Sequence, residues 1–150
     1  MKQISAIYIL MVFLGSCVTT KTALKDFNNA EYYNAASKFQ KVIKEGDSNN
    51  SFLLAEALRK SNRLWQAQKY YADAIQNGYK KEIAYYYLAL SLKSNNAYDQ
   101  ADSLISNYLL KGKDESVLIL MKNELQNINN LRNYPDTSYY RVKNLEAINT

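Results

Sequence analysis

Histidine is absent from this chain of 150 residues, cysteine and proline occur once each, and there are only four glycines. Without histidine, the commonest general base and metal ligand is missing. A lone cysteine can form neither an internal disulfide nor the paired thiols of a zinc site. Scarce glycine and proline leave too little turn punctuation for a many-stranded sandwich or barrel, and point instead to helices joined by short polar loops. No Gly-rich phosphate loop, nucleophile elbow or paired zinc motif occurs. The sequence therefore predicts an all-α chain with no catalytic residue, no metal and no cofactor. Carboxylates such as Asp99 and Asp102 are read as part of a solvated helix face, and a non-enzymatic role is expected. There is also little excess of one charge. Nineteen Lys and Arg stand against fourteen Asp and Glu, a net +5 with no basic run, so nucleic acid is not an expected partner.

With 47% hydrophobic residues, the chain can bury one compact domain or form a short repeat array. Its N-terminus carries one positive charge, Lys2, then the apolar stretch Ile4 to Leu14, then small residues. This is the pattern of a signal-peptide h-region, too short for a bilayer span of about 20 residues. Polar Thr19, Thr20 and Lys21 close it off.

The stretch Leu14-Gly15-Ser16-Cys17 resembles a bacterial lipobox: a leucine, two small residues and the cysteine that becomes acylated. The resemblance implies cleavage before Cys17, a thioether-linked diacylglyceryl group on its thiol, and a further acyl chain on the new amino group. Two or more acyl chains hold a protein durably on a membrane, at about 0.8 kcal/mol per buried CH₂. Val18 stands where an aspartate would imply inner-membrane retention, so the implied address is the periplasmic face of the outer membrane. The alternative for Cys17 is a small apolar packing residue of a buried N-terminal helix.

Three segments share one pattern: Glu31–Val42, Arg63–Ala74 and Ala97–Tyr108. Their apolar sets are Tyr32, Ala35, Phe39 and Val42; Leu64, Ala67, Tyr71 and Ala74; Tyr98, Ala101, Ile105 and Tyr108. Spacings of three and four put each set on one helical face. The alanines recur 32 and 34 residues apart, and twelve residues before each lies another, Ala23, Ala55 and Ala89. Close-packed helix pairs need small residues where their backbones approach. Ser61-Asn62 and Ser94-Asn95-Asn96 supply polar turns.

This arrangement resembles the tetratricopeptide repeat, a 34-residue helix-turn-helix unit with alanines at its eighth and twentieth positions. It is clearest in the second and third units. The first departs from the pattern at Asp26, where a large apolar residue is usual, and the proline that often ends a repeat is missing. A plain helical bundle is the alternative. The resemblance implies a groove lined by the first helix of each unit, here Phe52, Glu56, Arg59 and Lys60, then Ile83, Tyr86, Leu90 and Lys93, with Leu24 and Phe27 from the first unit. Aromatic and aliphatic anchors edged by Arg and Lys suit an extended or helical peptide bearing some acidic groups. The lysines and asparagine that grip a C-terminal carboxylate in one subclass are replaced by Thr20, Leu24, Leu53, Ile83 and Tyr87, so chaperone-tail binding is not expected. Of the paired tyrosines, Tyr32-Tyr33, Tyr70-Tyr71 and Tyr85-Tyr86-Tyr87, one of each group is expected inside and its neighbour outside.

Beyond the third unit, Asp114-Glu115-Ser116 opens a helix whose stripe Val117, Leu118, Met121, Leu125 and Ile128 is expected to cap the array. Pro135 ends it, and Tyr139 to Leu145 reads as extended. The expected organisation is a signal peptide over 1–16, a lipidated linker over 17–21, a repeat domain with its capping helix over 22–131, and an extended tail or the start of a further domain over 132–150. A lipobox, a short repeat array and the segment Tyr140 to Thr150 together resemble the start of cell-envelope proteins of gliding and type IX secreting bacteria, in which a propeller and an OmpA-like domain follow. Any peptidoglycan contact would come through such a later domain. The expected function is a lipid-anchored periplasmic scaffold or adaptor that binds envelope proteins, possessing no enzyme activity. A second reading is a subunit of an outer-membrane protein assembly machine, and a third is a fragment of an envelope hydrolase using carboxylates.

Overall fold

The structure is a computed structural model that describes residues 18–133. The apolar leader, Cys17 and the tail from residue 134 lie outside the described residues, and the expectations placed on them are not addressed by it. Seven helices follow in chain order: α1 (Thr20–Asn28), α2 (Tyr32–Val42), α3 (Ser48–Lys60), α4 (Leu64–Gln76), α5 (Ile83–Ser94), α6 (Tyr98–Lys111) and α7 (Glu115–Asn133). Among the described residues there is no strand, and no helix is long and apolar enough to cross a membrane.

Local chemistry sets where the helices start. The Thr19 hydroxyl accepts from the backbone N–H of Thr22 and the Thr22 hydroxyl accepts from that of Thr19, a reciprocal cap that opens α1 at Thr20. Asp47 accepts from the Asn50 backbone N–H (3.0 Å) at the head of α3, and Asp114 from those of Ser116 (3.0 Å) and Val117 (3.3 Å) at the head of α7. The Ser116 hydroxyl, which donates to Asp114 at 2.6 Å, and then the Val117 backbone N–H hold the Asp114 carboxyl below its ordinary range.

Three of the stops are copies of one turn. Ala30, Asn62 and Asn96 adopt φ of 62°, 61° and 59°, left-handed conformations 32 and 34 residues apart. In each case the next residue donates its N–H back across the turn: Glu31 to the Asp26 carbonyl (2.9 Å), Arg63 to Leu58 (2.8 Å) and Ala97 to Leu92 (2.9 Å). This bond satisfies a carbonyl that the helix end leaves unpaired and reverses the chain. The turns therefore recur with the period of the alanines.

Each helix packs on the next, and α7 also packs on α5. All six repeat alanines, Ala23, Ala35, Ala55, Ala67, Ala89 and Ala101, are fully buried, as are Phe39, Tyr71 and Ile105 at the large apolar positions. One core cluster joins α1 to α4 and another joins α5 to α7, with Leu88 packed against both. Asp26 is accommodated by Lys38 of α2, whose ammonium lies 2.6 Å from its carboxylate. The stripe of α7 enters the second cluster through Val117, Met121 and Ile128. That helix runs to Asn133, two residues past the expected boundary at 131. Two of the tyrosine groups follow the expected division in part, with Tyr71 buried but Tyr70 half-buried rather than outside, and Tyr33 exposed but Tyr32 half-buried rather than inside. In Tyr85-Tyr86-Tyr87 all three are half-buried.

Candidate partner-binding face

Phe52, Glu56 and Arg59 stand at i, i+4 and i+7 on α3 and so share one face. Around them the structure gathers four tyrosines. The Phe52 ring stacks on Tyr79, from the connection after α4, with centroids 4.1 Å apart, and meets Tyr71 of α4 edge-on at 5.9 Å. The Arg59 guanidinium lies 4.1 Å from the centroid of the Tyr87 ring of α5, and Tyr87 in turn touches Tyr86 (5.6 Å) and Tyr71 (5.7 Å). Three helices and one connection thus build a continuous aromatic cluster, with Tyr71 buried at its centre and the other rings half-buried around it.

Glu56 organises it. The side chain is only 7% exposed, and its carboxylate receives Arg59 Nε at 2.9 Å, Arg59 Nη2 at 2.7 Å and the Tyr71 hydroxyl. The fork from Arg59 is bidentate, the strongest form of such a pair. Donation of these hydrogen bonds to Glu56 raises the Arg59 pKa further above its ordinary value. Burial, then the Glu56 charge, pushes the Tyr71 hydroxyl well up, and the same two causes raise Tyr79. These tyrosines stay neutral donors at any physiological pH.

On α5, Lys93 forms an ion pair with Glu124 of α7, a carboxylate only 4% exposed. The Tyr86 hydroxyl is raised first by burial and next by the Glu124 charge. The capping helix therefore contributes an acid to the face that the sequence assigned to α3 and α5 alone. Arg59 and Lys93 are matched by Glu56 and Glu124, so the expected basic edge is balanced from within. Lys60 is the one cation of the expected groove without an ion pair among the described residues, and it turns toward α2, 5.2 Å from the Tyr32 ring.

The structure thus brings Phe52, Glu56, Arg59 and Tyr86 together and links Lys93 to them through Glu124. Leu24 and Phe27 pack against the first core cluster, as Phe52 and Tyr87 also do, but Phe27 meets the rings of Tyr32 (5.4 Å) and Phe39 (6.5 Å) edge-on and none of the rings gathered around Phe52. Ile83 packs into the second cluster and Leu90 is half-buried on α5. Sequence reasoning missed Tyr87, Tyr79 and Glu124. Glu124 falls between Met121 and Ile128 on the inward stripe of α7, a spacing that marks it as an acid facing the core. Among the described residues no cluster of ligating side chains could hold a metal ion. A separate cleft of about 340 Å3 opens between Tyr79, Lys80, Tyr85, Leu104, Tyr108 and Lys111. Comparison of the sequence with known protein-family models and with curated proteins finds no match.

Proposed function

We propose that the chain is a lipid-anchored, periplasmic protein-interaction module of the outer membrane, built as a short tetratricopeptide-like array with α7 as its cap. The observation that carries this reading is the recurrence, at the same spacing, of buried alanine pairs and left-handed turns, which marks α1–α2, α3–α4 and α5–α6 as copies of one hairpin. Stacked hairpins present their first helices side by side, and an extended surface of that kind is used for binding rather than chemistry. The lack of histidine and of any catalytic motif agrees with this. The face on α3 and α5 combines rigid aromatic side chains with a preorganised Arg59, the residue types that dominate binding energy at interfaces. Because its charges are balanced by Glu56 and Glu124, the partner it suits is a peptide segment anchored through apolar and aromatic side chains, with acidic groups secondary. In the envelope this would make the chain a scaffold or adaptor within a secretion or peptidoglycan-linked assembly.

The test is affinity capture from detergent-solubilised envelopes of a cross-linked host, comparing the native chain with Arg59→Ala/Tyr86→Ala. The reading expects a partner captured by the native chain and lost with the double variant while the melting transition is retained. Retention of the same partner by the folded variant would contradict it.

A further inference from the structure

The chain carries the same cleft twice, with different chemistry. One, of about 370 Å3, lies between the α2–α3 connection, the first turn of α3 and the foot of α4; the other, of about 340 Å3, lies between the α4–α5 connection, the first turn of α5 and the foot of α6. Ser51, Tyr70, Asp73 and Asn77 line the first, and the residues 34 positions later, Tyr85, Leu104, Asn107 and Lys111, line the second. That offset also separates Ala55 from Ala89 and Ala67 from Ala101, so the clefts are equivalent places in successive hairpins. Their linings differ in character: the second has a tyrosine for a serine, an asparagine for an aspartate and a lysine for an asparagine.

The second cleft is held in shape from several sides. Tyr108, only 7% exposed, lies tilted against Tyr85 with ring centroids 5.3 Å apart. Gly112 makes room for that ring, since a Cβ there would lie 2.5 Å from its Cε1 and Cζ. The Tyr108 hydroxyl donates to Glu82, whose carboxylate also accepts the backbone N–H groups of Lys113 (2.9 Å) and Asp114 (3.0 Å), so the α4–α5 and α6–α7 connections are tied together. Residues 77–82 form the longest connection among the described helices and bring Tyr79 and Lys80 to the cleft. Its charged lining is Lys80 and Lys111 against Glu82, and the rest of its two connections adds Lys81 and Lys113 against Asp114. Both acids are engaged, Glu82 as described and Asp114 by Ser116 and Val117, whereas none of the four lysines forms an ion pair among the described residues. Counted the same way, the earlier cleft is balanced, with Lys44 and Lys69 against Glu45 and Asp73 in its lining. The rest of its two connections sets Lys80 and Lys81 against Asp47 and Glu82.

We propose that the cleft at Tyr85 and Leu104 binds a small aromatic carboxylate, its ring among Tyr79, Tyr85 and Leu104 and its carboxylate toward the Lys80 and Lys111 ammonium groups and the Asn107 amide. Tyrosine rings beside a leucine favour a planar apolar body through stacked and edge-on contacts. Unpaired ammonium groups at the rim select an anion, and two lining cations against one lining acid match a single negative charge better than a phosphate dianion. The volume is that of a small-molecule site. A free acid and the end of a chain that stops in an aromatic residue share this chemistry. Tyr79 also stacks on Phe52, but the inference rests on the cleft and not on the reading of the chain as an adaptor or on acylation of Cys17.

The test is titration of the isotope-labelled full chain with phenylacetate, followed through its amide chemical shifts, beside the neutral analogue phenylacetamide and a tripeptide with a free C-terminal phenylalanine. Two variants are compared: Lys80→Gln/Lys111→Gln, which removes the rim charges, and Asn107→Trp, which fills the cleft from an exposed position, with thermal melting as the check on folding. The apolar leader is the same in all three proteins, so differences between them report the cleft. Phenylacetate is expected to shift the amides of Tyr85, Leu104, Asn107 and Gly112 while those of Ser51, Tyr70 and Asp73 stay in place. It should bind about fivefold tighter than the amide, lose that advantage in the double lysine variant and fail to bind Asn107→Trp. Binding of the tripeptide as well would support the site with a chain end as a source of ligand, and binding of phenylacetate without the tripeptide would support it with a free acid. Equal affinity for acid and amide, shifts of equal size at the earlier cleft, or binding unchanged in both folded variants would overturn the proposal.

Discussion

Ala30 is held at φ 62° although its side chain has no polar group to compensate for the left-handed conformation, whereas the equivalent turns use Asn62 and Asn96. Asparagine tolerates that region and glycine is free in it. Ala30→Gly is therefore expected to stabilise the chain by about 1 kcal/mol, read as a rise in the melting temperature, even though glycine lowers stability at most helical positions. The asparagine turns were legible in the sequence because the residue type announces the conformation; the alanine turn was not, because alanine normally continues a helix. Glu56 shows the same limit. The repeat register assigned it to a groove with Phe52 and Arg59, and the structure pairs it with Arg59, but its burial depends on Tyr71, fifteen residues away on a helix face counted as core. Glu56→Ala leaves a half-buried guanidinium and a buried hydroxyl without their acceptor. A loss of about 2–4 kcal/mol in chemical denaturation is expected, with a smaller loss for Glu56→Gln, which keeps one acceptor oxygen.

At the scale of the helix, apolar spacing was a good guide. Of the sets that sorted residues into faces in α2, α4 and α6, the cores bury Ala35 and Phe39, Ala67, Tyr71 and Ala74, and Ala101, Ile105 and Tyr108, while Tyr32, Val42, Leu64 and Tyr98 are half-buried at the ends of their stripes, because helix geometry fixes which side chains lie one above the other. The role of α7 as a cover for the second cluster was legible in the same way, from Val117, Met121 and Ile128. Its reach over α5 was not, since that depends on a charge pair between Lys93 and Glu124 across helices. Removing Lys93 leaves Glu124 buried without its cation, so Lys93→Ala is expected to loosen α7 selectively. Amide hydrogen exchange should speed up along Val117 to Ile128 while α3 and α4 keep their protection. Uniform acceleration across all helices would mean that α7 is not a separable element.

Taken whole, the described residues form seven helices, each packed on the next, with a charge-balanced aromatic cluster joining α3, α4 and α5. The all-α class and the repeat period follow from composition and spacing. The reading of the chain as a tethered interaction module turns on Cys17. Intact mass and membrane partitioning in a lipoprotein-competent Gram-negative host, with Cys17→Ala alongside, test it most directly. The account predicts a mature chain beginning at Cys17 with added acyl mass, found in the outer-membrane fraction and lost from it in the variant. An unmodified native chain in the soluble fraction would contradict it.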